Sequence, residues 1–265
     1  MSWAEIGKAL NSTVKDPEKF MPLDLLIQYR MDIQNKKNIY TRNTSGTEQV
    51  FVPIWATKAK ITACAGGGGG GLAYVYPVTG TITRAGGGGG AAILDKEVEV
   101  GADIRNSYIS VTVGSGGKGA YVIADASGEG HTQYNPSKGG NTTISAFGIS
   151  LTGGAAGGAT TGGAAGGTGG GKGGDGAHSS SSVSVDGSPG ISGSGGVGYS
   201  SGIDKFGGGG GSLGSGGKAT SSESSSNSGC NGSRGGGGGA ILSTGSACDQ
   251  GGNGGTGYVQ IEWLL

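Results

Sequence analysis

The chain has few means of locking itself together by covalent or metal chemistry. It carries three cysteines, Cys64, Cys230 and Cys248, and two histidines, His131 and His178, in 265 residues. An odd number of cysteines without dense spacing excludes a disulfide framework, although a Cys230–Cys248 pairing stays open. Neither histidine has a cysteine or a second histidine at ligand spacing, so both read as solvated loop residues and no metal is expected. Proline is also scarce. Three of the six follow residue 65, and the glycines there are contiguous, which excludes a collagen triple helix. The net charge is zero, so nucleic acid is not an expected partner. No apolar run approaches the roughly 20 residues of a membrane-spanning helix, so no membrane insertion is expected. The N-terminus reads as polar, with no signal peptide or lipidation motif. A role outside a cell would then need another route of export.

What is abundant is glycine, 66 residues in all. Only Gly7 and Gly46 fall in the first 65 positions; the other 64 make up about a third of residues 66–265. The long runs are Gly66–Gly71, Gly86–Gly90, Gly207–Gly211 and Gly235–Gly239, with looser runs at 153–158, 162–167 and 251–257. Hydrophobic residues make up 33% and aromatic residues 6%, too little for a core of the ordinary kind. A disordered linker, however, has no use for Tyr108-Ile-Ser-Val-Thr-Val113 or Tyr258-Val-Gln-Ile-Glu-Trp263. Extended polyglycine helices rise about 3.1 Å per residue and have no internal hydrogen bonds. Their N–H and C=O groups need neighbouring chains, and only glycine fits where such helices meet. The expected fold class is therefore a glycine-rich domain, residues 61–265, of packed polyglycine type II helices. It would carry short β-strands, projecting loops and little α-helix after residue 60.

Residues 1–60 read differently. Trp3, Ile6 and Leu10 recur at helical spacing behind a Ser2 cap. A second helix begins near Pro22, with Leu23, Leu26, Ile27, Arg30 and Met31 on one face. Residues 38–42 and 49–55 read as strands around a loop at 43–46. The expectation is a small α+β N-terminal unit, marginal alone, which would use Trp3, Ile6, Leu10, Leu26 and Tyr29 to attach to a partner.

The segments between glycine runs are rich in side chains: 72–79, 120–124, 131–136, 178–188 and 199–206. Tyrosine, serine and asparagine on loops of a rigid scaffold are the chemistry of binding surfaces. Tyr74, Tyr76, Tyr121, Tyr134, Tyr199 and Phe206 are the candidate anchors. The direction of the chain places 72–85 and 242–250 at the end farthest from the N-terminal unit.

Three features carry a more specific likeness: Lys60-Ile-Thr-Ala-Cys-Ala-Gly66 leading into a long glycine run, glycine motifs alternating with side-chain-rich segments, and the closing Gly254-Gly-Thr-Gly-Tyr-Val-Gln-Ile-Glu-Trp263. In this order the sequence resembles the tip adhesins of the long tail fibres of T-even-type bacteriophages. The resemblance implies a virion protein at the distal fibre tip. It would be held there by its N-terminal region on a trimeric tail fibre shaft protein. It would bind a bacterial outer-membrane, porin-like receptor through variable loops.

Catalytic patterns are missing. Gly114-Ser-Gly-Gly-Lys-Gly119 lacks the spacing of a phosphate-binding loop and has Gly119 where Ser or Thr should follow the lysine. His178 beside Ser179–Ser182 is adjacency, not a triad. Asp95, Glu97 and Glu99 alternate on a strand and read as a solvated face. No catalytic residue and no cofactor is expected. The competing readings are a structural glycine-rich coat or matrix protein, and a free-standing ice- or polysaccharide-binding domain. The first predicts uniform loops; the second has no need of an N-terminal helical cap.

Overall fold

The computed structural model describes residues 22–35, 37–74, 85–124, 131–158, 163–175, 177–178, 186–201, 204–221, 231–243 and 250–265. Pro22, with φ −53°, opens helix α1, Leu23–Gln34. Its fixed φ and missing N–H cost nothing at a helix start, where that donor has no partner anyway. Leu25 and Tyr29 turn the helix towards the core. The Tyr29 ring meets Trp55 edge-on at 4.8 Å, and the Trp55 Nε1–H donates to Asp32 at 2.7 Å.

Beyond the helix the chain builds two four-stranded antiparallel sheets. The first has the order β1 (Ile39–Arg42), β16 (Tyr258–Leu264), β3 (Lys58–Cys64), β5 (Ala92–Glu99). The second has the order β10 (Ile149–Leu151), β9 (Thr142–Ile144), β6 (Tyr108–Val113), β2 (Gly46–Phe51). Period-two alternation sets the buried faces. In β16, Val259, Ile261 and Trp263 point inward; in β6, Ile109, Val111 and Val113 do so. Both sets join one core cluster with Trp55, Ile61 and Ile144. On the outer face of the first sheet, Lys60 sits 3.3 Å from Asp95 and Lys58 4.0 Å from Glu99. The alternating acidic residues of β5 thus belong to an exposed cross-strand charge ladder.

These pairings correct the expected fold class. Among the described residues the organisation is mostly β-sheet with one α-helix, and no separate α+β attachment unit precedes it. β1 and β2 do not form a hairpin. β1 pairs with β16, with Ile39 opposite Glu262, and β2 pairs with β6, with Val50 opposite Ile109. The physical reason is burial: a lone hairpin has one wet face, whereas each strand placed in a different sheet covers part of a shared core. Residues 39–60 are integral to the same core that the last strand completes.

Above the sheets the glycine runs pack side by side. The run at 66–71 has a repeat of three. The amides of Gly66 and Gly69 donate to Gly140 and Ser137, those of Gly67 and Gly70 to Gly255 and Gly252, and those of Gly68 and Gly71 to Gly88 and Ala85. Its carbonyls accept in the same rhythm, Gly67 and Gly70 from Gly117 and Ala120, and Gly66 and Gly69 from Gly154 and Gly157. This run therefore satisfies its backbone on its neighbours. A Cβ on Gly67, Gly68 or Gly69 would fall under 3.0 Å from the carbonyl of Gly236, Ala155 or Lys118. Where the array ends, side chains supply the missing acceptor. Asn141 Oδ1 accepts from Gly153, Asp186 Oδ1 from Gly198, Asn253 Oδ1 from Gly119, and Asp175 Oδ1 from Gly163. Asp175 is held below the usual carboxylate range. Its partial burial opposes this, and the hydrogen bonds from Lys172 and the Gly163 N–H, with the Lys172 charge, outweigh it.

This packing yields two testable outcomes. Gly68→Ala or Gly209→Ala, whose methyl groups would collide with the Ala155 and Gly237 carbonyls, should each lower stability by about 3 kcal/mol or more. Gly148→Ala has nothing within 4 Å but a φ of +60°, and should cost only about 1 kcal/mol. Calorimetric melting of the three variants checks the order. The second concerns Cys64, which lies fully buried under the array. Burial pushes its thiol from 9.0 up to about 11, against smaller opposing contacts from the Tyr258 backbone, Ser212 and Leu213. Its contribution to stability is complete below pH 9.0 and is lost as pH rises towards 11. The Cys64 peptide should resist iodoacetamide at pH 8 in the native protein and react on denaturation, as read by mass spectrometry.

Candidate functional site

The runs alternate in direction, and this sorts their ends. At the sheet end the chain turns at 145–148, 168–169, 190–193 and 212–214. At the far end the described flanks of 75–84, 125–130, 159–162, 202–203 and 244–249 meet, because Gly71 bonds Ala85, Ala120 bonds Gly251, Ile241 bonds Gly71 and Ala240 bonds Gly207. Short strands mark this end. β4 (Leu72–Tyr74), β15 (Ile241–Ser243) and β14 (Thr220–Ser221) form a parallel sheet. β7 (Tyr121–Ala124) pairs with β8 (His131–Tyr134), and β13 (Asp204–Phe206) lies between β11 (Ala177–His178) and β12 (Tyr199–Ser201). All the strands of the parallel sheet run outward, which only chains that leave the same base in the same direction can do.

The candidate anchors take different places here. Tyr121 and Tyr134 are directly opposed in register, and their rings stack at 4.5 Å and 8°. Tyr121 is half-buried, while Tyr134 is 42% exposed and Ile123 beside the pair 48%. A pre-stacked ring pair has already given up its rotamer freedom, so it offers a rigid apolar face. Tyr199 opposes Phe206 in register, with ring centroids 5.9 Å apart. Phe206 is fully buried against Ala219 and Ala240. It supports Tyr199 and is not itself a contact surface, so the expectation that it binds directly is corrected. Tyr74 ends β4, opposite Ser243; Tyr76 lies outside the described residues. A second inner cluster, Leu72, Ala120 and Ile241, seals the base of this end.

Beside the tyrosine pair runs a groove of about 340 Å³, lined by Gly116, Gly117, Lys118, Tyr121, Gln250 and Asn253. Its amides are pre-oriented: Asn253 Oδ1 accepts from the Gly119 N–H at 2.9 Å and from Gln250 Nε2 at 3.0 Å. Sequence reasoning weighed Lys118 only as the lysine of a phosphate-binding loop and passed over Asn253. The signal was present, since a large side chain inside a glycine run has to face away from every neighbouring run.

At the sheet end a larger groove of about 710 Å³ lies between α1 and the strands, with Tyr40, Phe51, Ile54, Trp55 and Tyr108 on its walls. Phe51 and Tyr108 meet edge-on at 5.4 Å. Glu48 pairs with Arg42 and accepts from the Tyr40 hydroxyl at 3.2 Å. Burial first, and the Glu48 charge second, push the Tyr40 hydroxyl above its ordinary range. Leu26 is exposed on α1, and Tyr29 packs inward on Trp55. Trp3, Ile6 and Leu10 lie outside the described residues, as do Cys230 and Cys248.

For chemistry, the two histidines stand on separate sheets, His131 opposite Ala124 and His178 opposite Asp204. Among the described residues no group of three His, Cys, Asp or Glu side chains could hold a metal ion. No helix of the described residues is long and apolar enough to cross a membrane. Gly114–Gly119 lies in the array, with Gly114, Gly116 and Gly119 packed against Gly140, Gly254 and Gly251.

A search of curated proteins finds no match to this chain. A family of glycine-rich domains does match, over residues 42–264, which takes in the whole array and both sheets apart from the first three residues of β1. The match begins inside β1, and so agrees with pairings that make residues 42–60 part of one unit with the glycine runs: the chain belongs to the glycine-rich domain family.

Proposed function

We propose that this protein is a non-enzymatic adhesin, the tip protein of a bacteriophage long tail fibre. Its far end would face a bacterial outer-membrane, porin-like receptor, and its sheet end would face a trimeric fibre shaft. The observation that carries the reading is the sorting of chain ends. Every described loop flank that carries a candidate tyrosine lies at one end of a backbone-bonded array, and the opposite end holds the hydrophobic core.

This division suits recognition. The glycine array has no side chains to spare and therefore little freedom to adapt. Variation in the far-end loops leaves its hydrogen bonds untouched, because those bonds begin only at residues such as Gly71, Ala85 and Ala120. Receptor choice is then free to change without refolding. The stacked Tyr121–Tyr134 pair is the best-placed anchor, with Tyr199, held on Phe206, a second. Rigid aromatic side chains on a fixed frame give large contact area at low entropic cost.

Adsorption to host cells and thermal melting, measured together, test this. Tyr134→Ala should weaken adsorption by about 2 kcal/mol, or some thirtyfold, and leave the melting temperature almost unchanged. Phe206→Ala should behave in the opposite sense, costing about 3 kcal/mol of stability through the cavity it opens. If Tyr121, Tyr134 and Tyr199 are all replaced by alanine and adsorption persists in a folded protein, the recognition role of this end is wrong, and a structural coat role gains instead.

A further inference from the structure

The groove of about 340 Å³ beside the stacked tyrosines has a wall chemistry of its own. Its side chains are one aromatic ring, Tyr121, two amides, Gln250 and Asn253, and one ammonium, Lys118; Gly116 and Gly117 form the rest. No aliphatic residue and no carboxylate lines it. Its size is at the small end of ligand sites, which run from about 300 to about 1,000 Å³.

The backbone here has little to give a ligand. The Gly117 amide donates to Gly67 and its carbonyl accepts from Gly254. Lys118 exchanges both its backbone groups with Ser137. The Gly119 amide is taken by Asn253, and Ala120 donates to Gly70 and accepts from Gly251. An extended peptide would find no open strand edge to pair with along 117–120. Recognition therefore falls to the side chains, and those are fixed. Asn253 Oδ1 accepts from the Gly119 N–H at 2.9 Å and from Gln250 Nε2 at 3.0 Å, which sets the direction of both amides. Asn253 Nδ2 is left as a donor and Gln250 Oε1 as an acceptor, neither with a partner among the described residues. Lys118 is exposed and makes no ion pair among the described residues.

We infer that this groove is a saccharide subsite for an acidic sugar residue. A donor and an acceptor on neighbouring amides match vicinal hydroxyls, each of which both gives and takes a hydrogen bond. The Tyr121 ring, braced from behind by Tyr134, offers a rigid aromatic wall for the C–H face of a pyranose. The side-chain-free stretch at Gly116 and Gly117 lets a ring lie close to the backbone. Lys118 supplies a charge-assisted bond to a carboxylate on the sugar. An apolar protein anchor would instead want aliphatic side chains, and the groove has none. The inference rests on the far end being a recognition surface and names a glycan contact within it, beside Tyr134.

Calorimetric titration and amide NMR of the full chain, with glucuronate and glucose as probes, test this. Glucuronate should bind more tightly than glucose by about fivefold at low salt, and the preference should shrink as salt rises. The perturbed amides should be those of 116–121 and 250–253. Lys118→Gln should erase the preference and keep the binding of glucose, while Lys118→Arg should retain it. Gln250→Ala, which leaves the Asn253 bond to Gly119 in place, should weaken both sugars roughly fivefold or more. Unchanged melting of each variant would show that it still folds. The inference is overturned by the absence of saturable binding of either sugar, by perturbed amides elsewhere in the chain, or by a preference that survives Lys118→Gln. Cell adsorption separates it from the recognition reading. Adsorption that still falls in Tyr134→Ala, without any saccharide binding, sinks the subsite and keeps the recognition surface. Adsorption lost in Lys118→Gln and Gln250→Ala, again without saccharide binding, also sinks it and makes the groove a protein contact. Sugar binding at the groove with adsorption indifferent to Tyr134 and Tyr199 upholds the subsite and removes those anchors.

Discussion

The constraint on which everything else rests is that an extended glycine run makes its backbone hydrogen bonds to neighbouring runs and, at the rim, to side chains. An extended run has no partner within itself, so a single run has no stability and the array forms as a set. Gly66–Gly71 shows the condition at its strictest, with three neighbouring runs accepting its amides and others donating to its carbonyls. The entropy lost in ordering glycine, the most flexible residue, has to be offset collectively. Little hydrophobic burial helps within the array itself. The core of two facing sheets supplies it at one end, where β3 and β16 run straight into glycine runs and fix their starting register.

That dependence explains the placement of large side chains. Within the array a Cβ collides with a carbonyl at most positions, so side chains survive only at the rim or at the ends. At the rim they have a second use. Where no run lies alongside, the oxygens of Asn141, Asp175, Asp186 and Asn253 accept the amide hydrogen bonds that a neighbouring carbonyl would otherwise take. The rim is thus finished by side-chain acceptors, as a helix N-terminus is finished by its cap. At the far end the short strands that seal it hold Tyr74, Tyr121, Tyr134 and Tyr199, while Tyr29, Tyr40, Tyr108 and Tyr258 belong to the sheet end.

This also separates what could be read from the sequence from what could not. The glycine runs announce themselves, and Pro22 with the apolar residues after it marks α1. The sheets were not legible. Residues 38–55 have the pattern of a hairpin, and nothing local says that β1 will pair with the last strand of the chain. Long-range pairing is decided by which strands share a buried face, and that information is spread over the whole chain. The candidate site was half legible for a similar reason. Tyr134 and Phe206 look alike in sequence, each an aromatic residue at the edge of a strand. Register separates them. Tyr134 lands on Tyr121 at an open edge, whereas Phe206 lands over Ala219 and Ala240 and is enclosed.

The same logic bears on where the chain tolerates substitution. Substitutions in the array meet carbonyl oxygens and are rejected by folding, and those in the sheet core meet Trp55, Ile61 and Trp263. Only the far end and the rim remain free, and they differ in what they tolerate. A rim residue such as Asn253 has its side-chain oxygen committed to the Gly119 and Gln250 donors, so a change there leaves a donor unpaired. Tyr134 stacks on Tyr121 and is 42% exposed. Freedom to vary without loss of fold therefore concentrates in the far-end residues, where a binding surface has most to gain from it.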